Sequence, residues 1–156
     1  MTEPEEAKRM ECYHLVPHQW GTHYSIGSNI GRRDVLPPAP YTEHLTLEVE
    51  ADLIHPKLKQ TGMLKLTFLA RRELESLVTS RDLSTPTPLC IGKVTLKGDR
   101  REFLGALPQD MLLHVLNRLE TGSYKQIMMT GDKLRYGSAK IHTVNFCEKV
   151  DIEDWY

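Results

Sequence analysis

The chain is poor in the features that announce a particular chemistry. Its three cysteines, Cys12, Cys90 and Cys147, are far apart and include no CxxC pair. That excludes a disulfide scaffold and favours reduced thiols in a cytoplasmic setting. No apolar run approaches the roughly 20 residues of a membrane span, and residues 1–10 are acidic and polar without an apolar stretch of signal-peptide length. The expectation is a soluble, cytoplasmic protein with no membrane partner. A strong charge of one sign is also missing: the formal net charge is −1, which gives no global attraction to nucleic acid or anionic lipid.

Catalytic motifs are equally scarce. There is no G-x-S-x-G elbow and no H-E-x-x-H pair. Gly27-Ser28-Asn29-Ile30-Gly31-Arg32-Arg33 has the small residues and positive charge of an anion-binding loop. It lacks the Gly-Lys-Ser/Thr ending of a P-loop, and prolines follow where a helix should begin. No catalytic or cofactor-binding residue is assigned, and the balance leans away from an enzyme.

What is present is a regular pattern of strands and turns. At 156 residues the chain has the length of a single domain able to bury a core without a metal or disulfide. Residues 1–10 read as a flexible acidic terminus, 11–147 as one domain that opens with an irregular arm over 11–41, and 148–156 as an acidic-aromatic tail. In the arm, short extended pieces are expected at 13–16 and 24–26. Leu45 to Leu53 alternates apolar and polar residues at the period of a half-buried strand, and Met63 to Ala70 does the same with Leu64, Leu66 and Phe68 inward. Antiparallel pairing of these two sets Lys65 near Glu48 and Glu50. A short helix over 71–78 and a proline-rich loop over 84–88 follow.

Leu89 to Phe146 then reads as hairpin, helix, hairpin. Strands are expected at 89–97, 101–107, 124–130 and 133–147, with turns at Gly98-Asp99 and Gly131-Asp132 and a bend at Gly137-Ser138. Between the hairpins, Leu112, Val115, Leu116 and Leu119 repeat at helical spacing over 108–121. Pro108 and Asp110 mark the helix start and Gly122 its end. The fold class is therefore α+β: a mostly antiparallel, strongly curved sheet or partly open barrel of about six strands with one main amphipathic helix.

Three constellations carry functional expectations. Cys12, His14, His18 and His23 bring together good transition-metal ligands, so zinc is the metal to consider, although their spacing is not that of a structural zinc site. Between Pro88 and Cys147 nine basic residues stand against five acidic ones, a local charge of about +4. Within it, Lys93, Lys97, Lys125, Lys133 and Arg135 with Tyr136 suit phosphate contact and base stacking on single-stranded nucleic acid. Trp20 and Tyr24 in the arm and Trp155 and Tyr156 in the tail offer apolar surface for a protein partner or a second copy. The leading expectation is a non-enzymatic interaction or accessory protein working through self-association or a protein partner. Single-stranded nucleic-acid binding is the alternative, and metal binding or metalloenzyme chemistry at the Cys/His cluster the third.

Overall fold

The computed structural model describes residues 10–28, 41–57, 62–72, 74 and 90–148. The apolar alternation seen in the sequence becomes a ring of strands. Their order is β1 (Met10–Ser28), β2 (Tyr41–His55), β3 (Met63–Arg71), β4 (Gly92–Lys97), β5 (Arg100–Pro108), helix α1 (Gln109–Glu120), β6 (Gln126–Asp132) and β7 (Ser138–Cys147). Around the ring they run β1-β2-β3-β5-β4-β7-β6, and β6 pairs with β1 to close it.

An α+β class with a curved sheet is what the pattern indicated, and two finer expectations are corrected. Among the described residues there are seven strands, not about six, and the barrel is closed, not partly open. The pairing is also mixed: β3 and β5 run parallel, with Leu66 opposite Phe103, while every other pair is antiparallel. A tight β4–β5 hairpin turning at Gly98-Asp99 places β5 between β4 and β3, and the long stretch from Arg71 to Arg100 supplies the chain that a parallel neighbour requires.

The seventh strand comes from the arm. Residues 10–28 form one nineteen-residue strand where an irregular segment was expected. Pro17, which argued against regular structure, sits where the β1–β2 register shifts between Pro17 and Gln19. A bulge tolerates a residue without an N–H, so the proline bends the strand and does not end it. The remainder of the arm, 29–40, lies outside the described residues, as do the loop at 84–88, most of the short helix expected at 71–78, and the tail from 149.

Inward-facing residues from all seven strands form one core. Tyr13 and Leu15, Leu47 and Val49, Leu66 and Phe68, Val94, Phe103, Ile127 and Met129, and Ala139 and Ile141 are buried together with Leu112, Val115 and Leu119 of α1. The stripe predicted for the helix is thus the face it buries, and α1 packs over β1, β2, β3 and β5. An aromatic ladder fills the interior: Phe68 lies 5.3 Å from Phe103 and 5.6 Å from Phe146, and Phe146 lies 5.7 Å from Tyr124. Phe103 fits because its neighbours are small. A Cβ on Gly92 would stand 2.6 Å from its ring carbons, and one on Gly105 would overlap them.

The predicted β2–β3 contact is present, with Lys65 opposite Glu50 and its Nζ 3.4 Å from Glu48 Oε1. The expected last strand over 133–147 divides. Arg135 and Ser138 exchange backbone hydrogen bonds of 2.8 and 3.0 Å across Tyr136 (φ 51°) and Gly137 (φ 76°). Two consecutive positive φ values make this a tight hairpin turn, not a bend, and β7 begins only at Ser138.

Candidate anion-binding face and open strand edge

Outward positions on β4, β7 and the β6–β7 connection build a basic hollow. Val94 and Ala139 point inward, so their neighbours Lys93 and Lys140 point outward, and the antiparallel register sets these two lysines directly opposite each other. The turn at Tyr136-Gly137 brings the connection back over β4, with Leu96 N–H donating to Gly137 O at 2.6 Å. Lys133 and Arg135 thereby arrive beside the lysine pair. The hollow, about 310 Å³, is lined by Lys93, Lys133, Arg135 and Lys140 with Asp132, Ser138 and Ala139. Asp132 Oδ1 is already engaged by His142 Nε2 at 3.1 Å. Among the described residues no carboxylate forms an ion pair with any of the four cations.

The structure therefore gathers Lys93, Lys133 and Arg135 from the predicted basic set. Tyr136, at the tip of the same turn, is 96% exposed. Lys97 flanks the turn, since a Cβ on Gly137 would sit 3.0 Å from Lys97 Cβ, and it pairs across the hairpin with Arg100. Lys125 is apart, at the other end of β6, where its N–H donates to Cys147 O at 2.9 Å. Lys140 was not singled out, because only the β4–β7 pairing, invisible in the sequence, brings it opposite Lys93.

A second feature is the far half of β1. β6 follows β1 only as far as Leu15, opposite Ile127, while β2 accompanies it to Ser28. Beyond Leu15 the strand has β2 as its one hydrogen-bonded neighbour among the described strands, and from Tyr24 to Ser28, opposite Tyr41 to Leu45 where β3 no longer accompanies β2, the pair projects as a two-stranded ribbon. That ribbon exposes Tyr24 (54%), Ile26 (61%) and Tyr41 (63%). Trp20 is half-buried and packs on the core. A groove of about 500 Å³ runs along the ribbon's base, bordered by Gln19 to His23 with Glu48, Glu50 and Lys65. Trp155 and Tyr156 lie outside the described residues.

Where the ribbon meets α1, four residues distant in sequence form a polar knot. The Glu43 carboxylate accepts from Tyr24 Oη at 2.7 Å, Arg72 at 2.9 Å and Gln109 Nε2 at 3.3 Å. The Tyr24 hydroxyl, then Gln109 and Arg72, hold the Glu43 carboxyl below its ordinary range, and the same hydrogen bond pushes the Tyr24 phenol up. Positions 24, 43, 72 and 109 carry no local signal that could have linked them.

The four Cys/His positions all lie on β1, and the eleven steps from Cys12 to His23 extend about 36 Å at strand rise. Cys12 is half-buried, its thiol pushed up by burial and then by Glu11. His14 is buried at 4% exposure and hydrogen-bonds Gln126 through Nε2. His18 Nε2 meets Asp52 Oδ2 at 2.5 Å, and His23 borders the groove. Among the described residues no three His, Cys, Asp or Glu side chains converge on a point where they could share a metal ion. No helix among those residues is long and apolar enough to cross a membrane.

None of the protein-family models, curated proteins or solved structures compared with the chain matches it.

Proposed function

We propose that the protein works by interaction, without catalysis, as a self-associating or accessory subunit whose contact element is the free edge of β1. The observation that carries this reading is the thirteen-residue stretch from Val16 to Ser28, paired with β2 alone among the described strands. Exposed edges are normally blunted by charged side chains. Pro17 and its bulge guard only the start of this edge, and from His18 to Ser28 it contains no Lys, Arg, Asp or Glu. Its open backbone groups and the exposed Tyr24 and Ile26 suit addition of a strand from a second copy or a partner. Native mass spectrometry at several protein concentrations tests the self-associating form. The expected result is an oligomer that an Ile26→Lys substitution converts to a folded monomer; a wild-type monomer at every concentration sinks it.

A second reading is single-stranded nucleic-acid binding over the basic face. It is favoured by one observation, the convergence of Lys93, Lys133 and Arg135 next to the turn that exposes Tyr136. It calls for binding to an oligonucleotide that weakens steeply with salt. A flat fluorescence-anisotropy titration at low ionic strength removes it.

A further inference from the structure

We infer that the hollow between β4, β7 and the Tyr136-Gly137 turn is a binding site for phosphate anions. The inference deepens the second reading by naming the chemical group that the face would hold. Like charges directly opposite on neighbouring strands are unfavourable, yet Lys93 and Lys140 occupy such positions. Carboxylates elsewhere on the barrel offset the basic residues near them, as Glu48 does for Lys65 and Glu102 for Arg100. Here the one lining carboxylate, Asp132, is drawn to His142, and four cations against that single acid leave a net of +3. An anion between the lysines turns their repulsion into shared attraction.

Geometry restricts the anion further. The volume of about 310 Å³ is at the small end of ligand sites, which span roughly 300–1,000 Å³. Arg135 contributes a planar guanidinium suited to bidentate contact with phosphate oxygens, and the three lysines add point charges. Arg135 does not hang from a free loop: its backbone is bonded in both directions to Ser138 in the turn, and the turn is bonded to Leu96. The backbone carrying Lys93, Arg135 and Lys140 is therefore held by strand and turn hydrogen bonds before any ligand arrives.

The test titrates the full chain with sodium tripolyphosphate and separately with single-stranded oligothymidylate, each at ionic strength matched with chloride, while amide NMR shifts are followed. Tripolyphosphate is expected to give saturable shifts confined to residue 93 and residues 133–140. Arg135→Ala should weaken its binding by about tenfold to a hundredfold, the loss of one or two charge-assisted hydrogen bonds. Lys140→Ala should weaken it as well while leaving the fold intact. If tripolyphosphate displaces bound oligothymidylate, the site takes the phosphodiester of a nucleic acid. If only tripolyphosphate binds, the site serves a small free phosphate compound and the nucleic-acid reading fails alone. Non-saturable shifts spread over all surface lysines overturn the inference, as does an unaltered response in the variants. Oligothymidylate binding with no tripolyphosphate binding at the hollow overturns it while leaving the second reading standing.

Discussion

Lys93 of β4 and Lys140 of β7 face each other across an antiparallel strand pair, and no carboxylate among the described residues forms an ion pair with either. A cross-strand pair of like charges is a local cost, and its effect on stability can be measured directly. Removing one charge of an exposed pair usually changes stability little; here the sign of the change carries the information.

Lys140→Gln is therefore expected to stabilise the ligand-free protein by about 0.2–1 kcal/mol, the scale of a cross-strand pair. The gain should shrink as salt is added, since both side chains are exposed. Urea midpoints at low and high ionic strength check this. A destabilised variant, or a gain independent of salt, contradicts the repulsion.

Gly105→Ala tests the packing around Phe103. An added methyl overlaps the Phe103 ring, which is itself held against Phe68. Overpacking of this kind costs about 1–3 kcal/mol. Combining it with Phe103→Leu should give a double mutant more stable than the sum of the single changes predicts, because the smaller side chain makes room for the methyl. Strict additivity in denaturant unfolding would show that the two positions do not share space.

Tyr13 gives the fold an alkaline limb. Burial, followed by Glu11 and Asp132, raises its phenol to about 12, and its hydroxyl donates to Asp132 O at 2.7 Å. The folded state thus holds the proton to higher pH than the unfolded chain, in which tyrosine titrates near 10. Stability from this group is complete below about pH 10 and is lost as pH rises from about 10 to about 12. Tyr13→Phe should cost about 1 kcal/mol at neutral pH, a typical net hydrogen bond, and should flatten that limb. Unfolding midpoints against pH, with tyrosinate absorbance as the second readout, decide the matter.

Deleting residues 1–40 should abolish folding. Tyr13 and Leu15 are fully buried core residues, and β1 closes the ring between β2 and β6. Shortening only the ribbon, by joining His23 to Thr46 through Asn-Gly, should leave the barrel folded, since these residues already stand opposite each other. The shortened protein loses Tyr24, Ile26 and Tyr41 and should be monomeric. Circular dichroism and native mass spectrometry separate the two outcomes; a folded 1–40 deletion would show that β1 is dispensable to the ring.

Much of this fold is readable in short windows of the chain. The alternation through Leu45, Leu47, Val49 and Ala51, the helical stripe of Leu112, Val115 and Leu119, and the turn residues Gly98 and Gly122 each specify a local conformation. Local sterics and burial of one face are sufficient for that, and β2, β3, β5 and α1 lie close to where these signals place them. Residues 10–28 carry no such local signal, because Pro17, Gly21 and Gly27 weigh against a strand. A bulge and a long β2 partner outweigh them in the folded barrel.

Which strands become neighbours was decided only in three dimensions. The β3–β5 parallel pair, the β4–β7 pair and the β6–β1 closure join segments far apart in the chain, and they arise because the apolar faces can be buried together in one ring. The candidate site follows the same division. Sequence alone determined that a basic segment with an aromatic residue lies between Pro88 and Cys147. The tertiary pairing of β4 with β7 selected Lys93, Lys133, Arg135 and Lys140 from it and set Lys125 apart, and the shorter reach of β6 left the far half of β1 with β2 as its one neighbour among the described strands. Register across the ring depends on every strand at once, so no single stretch of residues contains it.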